Sequence, residues 1–248
     1  MKSTFTKVLC IAVMLLATGI TAQAQFRHFR QSIYLNGVLP TGAFASQVDA
    51  NQSIVPLTNE QVGKGAIIGF GAGYRASYRF DIGMGEVAPF VGADLFWNMI
   101  DSKWSDKYLN ASMTAPSYLN IPVMAGVSYN YDELDTRFPI IPFGEFGVGS
   151  DMLLITREGT TVKDDPNNYY AYKPSFSVAW MVGAGVYLGN YVSIGAYYYG
   201  LGKHTVDYTS RCIDKNPVAA LQAANDAANQ TRHTRTVGEL ALRIGFHF

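Results

Sequence analysis

Six charged side chains carry most of the chemistry this chain could do: Arg75, Arg79, Asp94, Glu145, Glu239 and Arg243. Each lies in a segment of otherwise apolar or small residues, where a charge persists only if it is paired or hydrated. Three cations and three anions permit a fully paired salt-bridge network. Left hydrated, the same groups would be the selectivity or gating element of a narrow pore. Histidine is the other reactive type, at His28, His204, His233 and His247. Nucleophilic catalysis needs a Ser or Thr within hydrogen-bond reach of a base that a carboxylate orients. His204, Thr205, Asp207 and Ser210, with His233, supply those residue types near the long segment 203–235 without the spacing of a triad, and no catalytic site is expected. Asp164-Asp165-Pro166-Asn167-Asn168 has oxygen donors of the kind calcium takes, but it lacks the spacing of a calcium loop and is an ordinary turn sequence. No metal site and no cofactor are expected.

Composition narrows the class. Of 248 residues only 15% are charged, against roughly 25% in soluble domains, while 13% are aromatic and 24 are Gly. That mixture excludes a disordered chain, a coiled coil and a disulfide-stapled mini-domain. With 19 basic and 19 acidic residues and no basic stripe, nucleic acid is not an expected partner.

Residues 1–24 have the three parts of an export signal. Lys2 and Lys7 are the positive start, Val8 to Ala17 is apolar, and Ala22-Gln23-Ala24 is a small-x-small cleavage site. The apolar run falls short of the about 20 residues a membrane helix needs. Cleavage before Gln25 removes two Lys from a chain with 19 basic and 19 acidic residues, leaving a formal charge of −2 on the domain 25–248. Cys10 sits at the start of the apolar run, the wrong place for lipid attachment. It departs with the signal, so Cys212 stands alone, without an intramolecular disulfide or a thiolate cluster.

Positioning the six charges falls to segments of period two. Eight recur, at about 32–40, 66–80, 87–98, 117–131, 140–154, 174–188, 191–202 and 236–248. In the second, Ile68, Phe70, Ala72, Tyr74, Ala76, Tyr78 and Phe80 oppose Gly69, Gly71, Gly73, Arg75, Ser77 and Arg79. In the last, Leu240, Leu242, Ile244, Phe246 and Phe248 oppose Glu239, Ala241, Arg243, Gly245 and His247. Such alternation marks half-buried strands. The fifth segment is the least tidy, because Phe143 falls with Glu145, Gly147 and Gly149, opposite Phe146 and Val148.

Connections alternate between short (81–86, 132–139, 189–190) and long, the longest being 203–235. This is the pattern of an all-β, closed antiparallel transmembrane barrel, with short periplasmic turns and long extracellular loops. Eight strands are expected, and ten would follow if the long loops hide another hairpin. A soluble lipocalin-like barrel also alternates, but with its apolar face inward. Here the charges lie opposite the apolar set, which suits a polar lumen and a lipid-facing exterior. Tyr78, Trp97, Tyr129 and Tyr198 are placed for interfacial girdles. A barrel of eight strands has an interior that side chains just fill; the inward glycines would either widen it or let Phe90, Phe96 and Tyr197 pack inside, and a wide diffusion channel is not expected. Within the long fourth loop, Asn216 followed by Pro217 could cap an alanine-rich helix over 217–228.

Two motifs carry a resemblance. The ending Leu240-Ala241-Leu242-Arg243-Ile244-Gly245-Phe246-His247-Phe248 resembles the C-terminal signal, here Phe246 and Phe248, read by barrel-assembly machinery. Tyr118-Leu119-Asn120-Ile121-Pro122-Val123, together with Leu39-Pro40-Thr41-Gly42, resembles the small outer-membrane barrels of Bacteroidota, a group that includes PorT-type proteins and OmpA/OmpX-like eight-stranded barrels. The resemblance implies a bacterial outer-membrane protein that meets lipid, lipopolysaccharide and the assembly machinery, and other envelope proteins through its loops. It further implies a non-enzymatic structural or interaction role, such as a subunit of a type IX secretion apparatus. A narrow solute pore is the alternative.

Overall fold

The computed structural model describes residues 28–45, 65–100, 113–114, 116–131, 140–156, 158–160, 169–189, 191–211 and 233–248. Signal residues 1–24, Cys212, the Asp164–Asn168 turn and the alanine-rich stretch 217–228 lie outside them. Side chains of residues 113–114, 158–160, 169–170 and 208–211 and of His233 are also outside the description.

Eight long strands form the barrel: β1 (Phe29–Thr41), β2 (Ala66–Tyr78), β3 (Glu86–Ile100), β4 (Ser117–Asn130), β5 (Ile140–Ile155), β6 (Ser175–Leu188), β7 (Val192–Val206) and β8 (His233–His247). Each is antiparallel to its neighbours in sequence. The sheet closes where β1 pairs with β8, from Ser32↔His247 to Thr41↔Gly238. Closure leaves no unpaired barrel edge. The connections follow the expected alternation, with β2–β3, β4–β5 and β6–β7 joined by short turns at one end and the longer spans at the other.

Alternation runs along the strands, interrupted by register shifts in β2 between Ala66 and Gly69 and in β7 between Gly200 and Gly202. Leu35, Phe70, Val91, Val123, Phe146, Val178, Ile194 and Leu242 are among the exposed large apolar residues, while Asn36, Arg75, Asp94, Asn120, Glu145 and Arg243 are buried. The fifth segment is a continuous strand with regular parity. Phe143 points inward with Glu145 because it is a lumen residue, packed 4.8 Å from the Tyr187 ring.

The extra hairpin exists, but outside the barrel wall, and it does not widen the barrel to ten strands. Met113–Thr114, Glu158–Thr160, Tyr169–Tyr172 and Tyr208–Arg211 pair as a separate four-stranded sheet at the long-connection end.

Strand β7 runs four residues past its expected end at 202. The register shifts between Gly200 and Gly202, and Gly202 has a φ of 82°, a left-handed conformation open to glycine. This bulge resets the alternation, so that even-numbered residues face inward beyond it. His204 and Val206 are therefore lumen residues, and His204 is not part of a loop cluster.

Candidate functional site

The lumen is the candidate site, and it is filled. Inward glycines make the room. A side chain at Gly183 would run into the Tyr197 ring, one at Gly126 would come within 2.7 Å of Phe90, and one at Gly185 within 2.7 Å of Phe143. Glycine on one strand is thus the slot for an aromatic from another. At these positions glycine serves ring packing inside the barrel, not a wide channel.

Two ion pairs cross the middle. Arg75 of β2 reaches Glu145 of β5, Nη1 to Oε2, at 2.5 Å. Arg243 of β8 donates through Nη2 to Asp94 of β3 at 2.7 Å and through Nε to Asn36 of β1 at 2.8 Å. Tyr199 is shared between them, its hydroxyl donating to Asp94 at 2.8 Å and receiving Arg243 Nη2. Both guanidinium groups are sandwiched by rings. Arg75 lies 3.9 Å from the Phe90 centroid and 5.2 Å from that of Tyr34. Arg243 lies 4.4 Å from the Tyr34 centroid and 4.3 Å from that of Tyr197. Cation–π contacts of this kind strengthen when desolvated. Together they form a continuous arginine–aromatic layer across the barrel.

Toward the short turns the network opens. Arg79 pairs with Glu86 at 3.3 Å, both about a quarter exposed, so it belongs to the rim and finds a partner outside the six charges. His247 is held by two serines, with Nδ1 2.7 Å from Ser32 Oγ and Nε2 2.8 Å from Ser193 Oγ. Both ring nitrogens are used by hydroxyls, and no third group orients the ring as a carboxylate does in a Ser–His–acid relay.

Toward the long connections, Glu239 crosses from β8 to accept a 2.8 Å hydrogen bond from Asn120 Nδ2. Asp151, absent from the six expected charges, lies inward on β5, with Oδ2 3.1 Å from His204 Nε2. His204 Nε2 is also 3.0 Å from the Leu201 carbonyl oxygen, so this nitrogen faces two acceptors, Leu201 O and Asp151 Oδ2. Above these groups Phe44, from a short 3-10 turn after β1, is edge-on to Tyr118 at 5.2 Å, at the level of the buried Asn98.

Of the six expected charges, Arg75 with Glu145 and Arg243 with Asp94 therefore pair directly. Arg79 and Glu239 do not join them. Among the described residues no group of three His, Cys, Asp or Glu is placed to hold a metal ion. Asp151 shares the parity of Glu145 six residues earlier, and that is the signal available for it. Tyr34, Asn36 and Tyr199 carry none beyond inward parity.

The exterior completes the geometry. Phe70 stacks on Trp97 at 6.3 Å and Trp180 lies 5.4 Å from Tyr198, nearer the long connections. Tyr78 packs on Phe80 at 4.9 Å, and the Tyr129 hydroxyl donates to the Met84 carbonyl at 2.7 Å, near the short turns. From Phe70 to Tyr78 the chain advances about 26 Å at roughly 3.3 Å per residue, or about 20 Å along the axis at a tilt near 40°. Between these two aromatic levels the outward positions carry no Asp, Glu, Lys or Arg. No helix among the described residues is long and apolar enough to cross a membrane, which leaves crossing by strands open.

No family model matches the chain, and no curated protein matches it. Among solved structures it is similar to Neisserial surface protein A, at 13% identity over 88% of this chain and 95% of that one, with a TM-score of 0.41. It is similar also to the outer membrane enzyme PagL, at 13% identity over 88% and 98%, TM-score 0.35. A major outer membrane protein from Thermus thermophilus matches at 10% identity over 89% and 99%, TM-score 0.46. Likeness at this level identifies no relative in function.

Proposed function

We propose that the chain is a bacterial outer-membrane barrel whose lumen is a sealed plug and whose long connections present an interaction surface outside the cell. The observation that carries this reading is the arginine–aromatic layer, in which Arg75 and Arg243 each bridge strands across the interior while packed between rings. Two inward cations held this way stabilise a closed interior and leave little room for a hydrated path. The uncharged outer band supports placement in lipid, since a charge there costs about 2–4 kcal/mol at the bilayer midplane. The separate four-stranded sheet draws on three of the long connections and supports a structural or interaction role there.

On this reading the protein is non-enzymatic and inserts through the barrel-assembly machinery, with Phe246 and Phe248 as the C-terminal signal. It contacts lipid and lipopolysaccharide, and it serves an envelope assembly, of which a type IX secretion apparatus is one form consistent with the Bacteroidota-like motifs. The test is a mild-detergent pull-down of the tagged protein from its own outer membrane, with native mass determined and planar-bilayer recording of the purified species. A stoichiometric partner with no conductance supports the assignment. A lone species with steady conductance altered by Arg75→Ala or Glu145→Ala overturns it in favour of a narrow pore.

A further inference from the structure

The turn joining β2 to β3 reads Asp81-Ile82-Gly83-Met84-Gly85-Glu86, and it holds two large apolar side chains out from its tip. Ile82 is 55% exposed and Met84 65%. They continue a line. Tyr78, Phe80 and Ile82 share the outward parity of β2 and are all exposed, and the hairpin stays paired to its end through Phe80↔Val87 and Asp81↔Glu86. Asp81 falls on the opposite parity, so the tip is apolar on its outward side and charged on the other. An apolar stripe that runs past the wall onto a turn marks a surface with a partner.

Length gives the partner. From Phe70, at the outer aromatic level, to Ile82 the chain advances about 40 Å, or about 30 Å along the axis at roughly 3.3 Å per residue and a tilt near 40°. That matches the about 30 Å of a hydrocarbon core. Ile82 thus lies about 10 Å beyond Tyr78, at the boundary that apolar side chains of membrane-surface segments reach.

The turn is also built for a medium poor in water. Ile82 N–H donates to the Gly85 carbonyl at 3.0 Å, Gly83 N–H donates to Asp81 Oδ1 at 2.8 Å, and the Met84 carbonyl accepts the Tyr129 hydroxyl at 2.7 Å. Arg79 pairs with Glu86 behind it. Backbone entering a low-dielectric layer has to be satisfied in this way. Gly85, at a φ of 129°, has the Asn130 carbonyl where a side chain would stand, so the turn is pressed against the end of β4.

We propose that the β2–β3 turn is a lipid anchor, with Ile82 and Met84 inserted at the headgroup boundary of the leaflet on the short-turn side and phospholipid as its partner. The anchor rests on the outer-membrane reading above, and it assigns to one turn, beyond the strand wall, the setting of the barrel's depth.

The test uses Met84→Trp in the full chain with Trp97, Trp104 and Trp180 replaced by Phe, reconstituted in vesicles of phospholipid brominated near the headgroup end or near the tail end of the acyl chains. Shallow bromines should remove about half of the emission, and deep bromines less. Emission unchanged by either lipid and quenched by aqueous iodide overturns the anchor. A chain keeping Trp97 alone is read in the same vesicles. With Trp97 quenched and Met84→Trp not, the anchor fails and the outer-membrane barrel stands; with neither quenched, the barrel reading fails too. Should the chain without native tryptophans not fold, Met84→Trp is added to the wild type. Its extra emission, taken as the difference from wild type, must then fall with shallow bromines, and extra emission insensitive to them overturns the anchor.

Discussion

Replacing Arg243 by Met tests whether the arginine layer holds the barrel together. The guanidinium makes hydrogen bonds to Asn36, Asp94 and Tyr199 and sits against two aromatic rings. Methionine restores much of the packing but leaves the Asp94 carboxylate uncompensated in a buried setting. Removing one partner of a buried pair costs about 3–5 kcal/mol. Asp94 would still receive the Tyr199 hydroxyl at 2.8 Å and the Asn36 amide at 3.4 Å, so the low end applies. A loss of about 3 kcal/mol is a factor of about 150 in the folding equilibrium. In the double variant Arg243→Met with Asp94→Leu no charge is left alone, and stability should return to within about 1 kcal/mol of the parent. Equilibrium urea unfolding in lipid vesicles, followed by tryptophan fluorescence, reads all three proteins. An Arg243→Met variant as stable as the parent, or a double variant no better than the single, would refute the reasoning.

Other expectations concern the wall and the interior. Gly183→Val drives a branched side chain into the Tyr197 ring and should cost about 1–3 kcal/mol by overpacking, read as a lowered urea midpoint. Leu242→Arg puts a charge on the exposed apolar band and should cost about 2–4 kcal/mol in vesicles, whereas a water-facing wall would tolerate it within about 0.5 kcal/mol. Planar-bilayer recordings of the intact protein should show no steady conductance. Arg75→Ala combined with Glu145→Ala, which empties part of the layer, should raise the frequency of brief openings; identical traces would count against the plug.

How far the sequence carried the fold depended on parity. Six of eight strands kept an unshifted register, and β2 did so from Gly69 onward, so inward and outward sets could be read from β2 and β8 with no structure at hand. The exceptions were local: β2 shifts register between Ala66 and Gly69, and one left-handed glycine, Gly202, reset the period of β7 and moved His204 from an expected loop into the lumen. Pairing was less legible than facing. Parity states that Arg75, Asp94, Glu145, Glu239 and Arg243 point inward, but who meets whom depends on strand stagger around the closed sheet. Glu239 on β8 thus meets Asn120 on the far wall instead of an arginine, and Arg79 slides to the rim beside Glu86. Polar neutral partners such as Asn36 and Tyr199 leave no charge signal, and they emerged only with the geometry.

Contact between the outer aromatic rings and lipid chains is the most direct test of the central claim. The protein, with Trp104 replaced by Phe, would be reconstituted in vesicles of brominated phospholipid and its tryptophan fluorescence compared with that in unbrominated lipid. Trp97 and Trp180, both exposed on the outer face, should be strongly quenched, most by bromines near the headgroup end of the chains. Fluorescence unchanged by bromine at any depth would contradict a barrel set in the membrane with its apolar face outward.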